Sequence, residues 1–113
     1  MKAADFTLLP ESIGLADGRV VRLRRLSALE RADYLGNCSD ASKAVADKSQ
    51  RERLVAALTL AGDLIALTLI DDEGGRLFAS GAEAAGAMDS GLLEEIGGHA
   101  AKLNRIGADD PNA

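Results

Sequence analysis

A chain of 113 residues, 47% of them apolar, is long enough to bury one core and too short for two. Its net charge of -5 works against binding to phosphate backbones or anionic lipid and leaves other proteins as the favoured partners. A single cysteine, Cys38, excludes an intrachain disulfide, and Phe6, Tyr34 and Phe78 are the only rings available for stacking on bases, sugars or flat cofactors.

The first residues, Met1 to Gly14, hold no apolar stretch of signal-peptide length, so the expected setting is the cytoplasm. From Phe6 to Leu26 the pattern is that of a hairpin: Ile13 and Leu15, the turn dipeptide Asp17-Gly18, then Arg19 to Leu26. Strand alternation puts Val21 and Leu23 on one face and Val20, Arg22 and Arg24 on the other. The basic face is expected to be solvated, with Arg22 and Arg24 as candidate contacts to an acidic partner. A DNA-binding hairpin using Arg19, Arg22, Arg24 and Arg25 is a weaker alternative in so acidic a chain.

Ser27-Ala-Leu-Glu30 is a capping-box pattern that predicts a helix from about Ala28. Across Gly36 to Asp40, side chains that compete for backbone hydrogen bonds predict a weak point, with a continuous kinked helix as the alternative. From Ala41 to Ile70 nothing forbids one long helix, its first half solvated and carrying the Asp47/Arg51 and Lys48/Glu52 pairs. Its second half, Leu54 to Ile70, has aliphatics on every side, interrupted only by Thr59, Asp63 and Thr68. Such a segment is expected to be buried all round, as a core helix or as one shared with a subunit or client interface. It falls short of the roughly 20 residues that span a bilayer, and Asp63 would cost about 2.5 to 3.5 kcal/mol there.

Asp71 to Gly75 reads as a solvated turn, since Arg76 and Ala82 break the calcium-loop pattern. Ser80-Gly-Ala-Glu83 caps a short helix ending before Asp89, and Asp89 or Ser90 caps a last helix with Leu93, Ile96, Ala100 and Leu103 in one stripe. Gly97-Gly98 weaken that helix by roughly 1 kcal/mol each, Gly107 is a natural stop, and residues 108–113 form a polar tail. The expected fold is therefore a single domain over residues 1–107, mainly α with a small N-terminal β-hairpin, built as a bundle of three to four helices. His99 and Cys38 stand alone, and no phosphate cradle, metal spacing or nucleophile elbow is present, so no catalytic residue, cofactor or metal is expected.

The order of three segments, Leu26-Ser-Ala-Leu-Glu-Arg-Ala-Asp-Tyr-Leu35, Asp71-Asp-Glu-Gly-Gly-Arg-Leu-Phe78 and Leu103-Asn104, resembles the tail assembly chaperones of lambda-like long-tailed bacteriophages, the minor tail protein G group. The resemblance runs from about Gly14 to Ile106; the Gly74-Gly75 and Gly97-Gly98 pairs depart from it. It implies a non-catalytic phage or prophage protein in the bacterial host cytoplasm, absent from the finished virion. Such a protein binds the tape measure protein and helps tail tube protein polymerise around it. It also implies a homo-oligomer, with Leu54, Leu58, Leu60, Leu64 and Leu67 as the candidate oligomer or client surface. The competing reading is a cellular helical adaptor or antitoxin-like dimer, with no role for nucleic acid or membrane in either.

Overall fold

The computed structural model describes residues 1–6 and 8–107, and the polar tail of residues 108–113 lies outside the described residues. A 3-10 turn, Ala3–Phe6, precedes the hairpin, whose strands are shorter than the sequence pattern implies: β1 is Glu11–Gly14 and β2 is Val20–Leu23. They pair antiparallel with Ile13 opposite Val21, around a turn in which Gly18 takes φ 91° and Asp17 accepts the Arg19 backbone N–H at 2.9 Å. That hydrogen bond, with the Arg19 side chain beside it, lowers the Asp17 pKa.

Helix α1, Ala28–Ala44, starts at the expected capping box: Ser27 Oγ accepts from Glu30 N at 3.2 Å and Glu30 Oε1 accepts from Ser27 N at 3.0 Å. It runs unbroken through Gly36 to Asp40, because Gly36, Asn37, Ser39 and Asp40 face solvent while Tyr34 and Cys38, one turn apart, pack inward. The break comes instead at Val45 to Ser49. There Ser49 caps α2, Gln50–Thr68, by accepting from Glu52 N at 3.2 Å, so residues 41–70 are not the one long helix that the sequence pattern allows. The two helices form an αα-hairpin.

The last two residues of the apolar run leave the helix. Leu69–Ile70 form β3, which pairs antiparallel with β2 through Leu23 opposite Leu69 and Arg22 opposite Ile70, giving a sheet of order β1-β2-β3. Leu69 at ψ 119° thus satisfies the open edge of the hairpin and carries Leu23, which is fully buried, into the core. The Asp71 turn follows, with Asp71 Oδ1 accepting from Glu73 N at 2.8 Å and Gly75 N at 2.9 Å.

Helix α3, Gly81–Ala87, is capped by Ser80, and α4, Ser90–Leu103, by Asp89, which accepts from Leu92 N at 2.8 Å. The core joins Leu15, Leu23 and Leu26 to Tyr34, to Leu64, Ile65 and Leu69, and to the stripe Leu93, Ile96 and Ala100. The chain is mainly α with a small N-terminal sheet. Its ends are tied together by buried Asn104, whose Oδ1 accepts the Leu26 N–H at 2.7 Å while its Nδ2 donates to the Ala100 carbonyl at 3.0 Å. No helix among the described residues is long and apolar enough to cross a membrane.

Candidate functional site

The apolar run is not buried along its whole length. Gly62 and Leu64 to Ala66 are buried, as are Thr68 to Ile70, whereas Leu54 is 56%, Val55 46% and Leu58 44% exposed. The expectation of all-round burial is therefore corrected for the N-terminal half of α2. On a helix Leu54, Leu58, Ala61 and Ile65 share one face, so the uncovered leucines continue the core stripe beyond the point where other elements cover it.

Beside this face lies a mostly apolar groove of about 420 Å³ between α2 and α4, lined by Ala57, Leu60 and Ala61 on one side and Gly97, Gly98 and Ala101 on the other. Tyr34, Leu64, Leu93 and Ile106 also line it, and Glu94 is its one charged residue. The small side chains create the space: a Cβ on Gly98 would meet nothing within 4 Å. Burial pushes the Tyr34 hydroxyl above its ordinary pKa, with Cys38 adding to the effect, and the hydroxyl donates to the Leu60 carbonyl at 2.9 Å.

Of the candidate surface residues, Leu54 and Leu58 stand exposed, Leu60 and Leu67 are half-buried, and Leu64 is a core residue that reaches only the groove. Leu67 turns toward a different pocket, shared with Asn37, Asp63 and Ser80, so the five do not form one surface. Val55 and the Gly97-Gly98 wall border the same region; the sequence marks the two glycines only as weakening α4 and does not mark Val55. Helical phase alone could have added Val55; the glycine wall depends on how α4 crosses α2.

Arg22 and Arg24 are engaged within the chain. Arg22 donates to the carbonyls of Asp71 and Asp72 at 3.5 and 2.9 Å. Arg24 donates through Nε to the Leu67 carbonyl at 2.6 Å and grips Glu30 with both terminal nitrogens, at 3.2 and 2.7 Å. These bonds fasten the hairpin to the end of α2 and to the start of α1.

No family model, curated protein or solved structure matches the chain. The segments that carry the resemblance act as joints in this fold. Leu26 and Asn104 bond each other, Arg31 donates to the carbonyls of Asn104 and Arg105 at 3.0 and 2.7 Å, and Tyr34 bonds Leu60. Leu54, Val55 and Leu58, beside the groove, are exposed, as are Leu8, Leu9, Val20, Leu29 and Leu77 elsewhere on the chain.

Proposed function

We propose that this chain is a phage tail assembly chaperone that holds the tape measure protein and promotes polymerisation of tail tube protein, acting in the bacterial cytoplasm without catalysis and leaving before the virion is complete. The observation that carries the reading is the ordered set of segments Leu26 to Leu35, Asp71 to Phe78 and Leu103-Asn104. The exposed α2 face supports it physically. A tape measure protein presents apolar helical surface until the tube encloses it, and a chain of net charge -5 can cover such surface and stay in solution.

The test is co-expression with the tape measure protein encoded nearest to it. A soluble complex is expected, lost when Leu54 and Leu58 are both replaced by Gln and weakened when Gly98→Leu fills the groove. A tape measure protein that stays insoluble and unbound overturns the proposal. The same exposed face favours a second reading, a helical adaptor or antitoxin-like dimer. That reading gains if the tape measure protein is ignored while a toxin encoded beside the chain is bound and silenced.

A further inference from the structure

The sheet closes one of its edges and leaves the other bare. On the far side β3 is covered by the chain that follows it: Ile70 bridges Arg76, and Leu77 N donates to the Leu69 carbonyl at 3.3 Å. On the near side stands β1. Leu15 N donates to the Arg19 carbonyl at 2.7 Å, and bonded and non-bonded pairs alternate along an antiparallel ladder, so Ile13 and Glu11 also turn their backbone groups to β2. Ser12 and Gly14 therefore point their N–H and C=O groups outward, and no hydrogen bond joins those groups to another described residue. Both residues are exposed, and a Cβ on Gly14 would meet nothing within 4 Å.

The ends of this edge are blunted and its middle is not. Pro10 has no N–H to offer. At the other end the next N–H in the outward alternation, that of Ala16, is taken by Glu95 Oε2 at 2.7 Å. Glu11, the one charged residue of the strand, is paired with Arg25. What remains is Ser12 and Gly14, placed symmetrically about Ile13. Such an edge is complementary to itself. A twofold axis at Ile13 sets Ser12 opposite Gly14 of a second copy, so that each pair exchanges N–H and C=O, and sets Pro10 opposite Ala16, the two positions with no donor free.

We propose that β1 pairs antiparallel with β1 of a second copy about a twofold axis at Ile13, joining the two small sheets into one. Half-buried Ile13 meets its counterpart at a non-hydrogen-bonded position, where Cα atoms come within about 4.5 Å. So short a contact gives a weak, concentration-dependent dimer. It uses neither the exposed α2 face nor the groove, so it does not rest on the chaperone reading.

The test is cross-linking of the full chain in a Cys38→Ser background. Ile13→Cys is expected to give a disulfide-linked dimer on mild oxidation, because about 4.5 Å lies within the span of a disulfide. Ser12→Cys is expected to give far less, since the two copies of position 12 stand two residues out of register, beyond the roughly 7 Å that a disulfide closes. In sedimentation across about 10 μM to 1 mM, the parent chain is expected to move from monomer toward dimer. Ser12→Pro removes an outward N–H that the monomer does not use, and is expected to keep the thermal midpoint and stay monomeric. Replacing Leu54 and Leu58 by Gln is expected to leave this pairing in place. Equal cross-linking at positions 12 and 13, or S12P that sediments as the parent does, overturns the proposal. A parent chain that stays monomeric throughout also overturns it and leaves the edge to a strand of another protein.

Discussion

The Glu30 carboxylate joins two structural devices: it completes the α1 capping box through Ser27 N and holds Arg24 against the end of α2. The Arg24 guanidinium and, next, the Ser27 N–H hold its pKa at about 2, below the ordinary value of 4.5. A folded-state pKa below the unfolded one contributes stability above the unfolded value, and that contribution is lost as pH falls from about 4.5 toward 2. Glu30→Gln should therefore lower the thermal midpoint at neutral pH, with the gap from the parent closing by about pH 2. The gap should also shrink in high salt, because the pair is partly exposed. A gap independent of pH would show that Glu30 acts by packing alone. Asn104→Ala leaves the buried Leu26 N–H without its acceptor, and urea unfolding should show a loss of about 1 to 3 kcal/mol.

At the scale of elements, α2 and α3 meet at two glycines, where a Cβ on Gly62 would collide with the Gly81 carbonyl oxygen. Gly62→Ala must push the two helices apart and should cost about 1 to 3 kcal/mol in urea unfolding. Gly98→Ala, inside α4 and facing open space, should instead gain about 0.5 to 1 kcal/mol. The contrast separates a glycine that close helix packing requires from one whose surroundings leave room for a side chain. The caps at Ser27, Ser80 and Asp89 were legible because a cap is a local bargain between a side chain and the next turn. The α1/α2 break was not, because residues 41 to 53 are compatible with helix throughout and only the Ser49 cap marks the interruption. Strand β3 was hidden for a different reason: Leu69 and Ile70 continue an apolar helical pattern, and it is the open edge of β2, distant in sequence, that draws them into extended geometry.

At the scale of the molecule, the candidate site was half legible. The aliphatic character of Leu54 to Ile70 is plain in the sequence, but where its cover ends depends on where α3 and α4 cross α2. Hence Leu64 proved to be core while Leu54, Val55 and Leu58 stand in solvent. Replacing Leu54 and Leu58 together by Gln should leave monomer stability within about 0.5 kcal/mol at each site, as for ordinary surface positions. If this face is a seam between copies, the parent chain should sediment as a concentration-dependent oligomer and the double variant as a monomer; equal sedimentation of the two removes α2 from any self-association.

The bond between Leu26 N and Asn104 Oδ1 joins residues separated by 78 positions and has a consequence for synthesis. The hairpin and the α1/α2 pair are made first, yet the acceptor that locks the hairpin and the α4 stripe that covers Leu64 and Ile65 arrive last. A nascent chain carrying α2 but not α4 must expose both the face that stays open in the finished fold and the face that will close. The interval before α4 emerges is thus when the chain exposes the most apolar surface and is most prone to adhere to other chains.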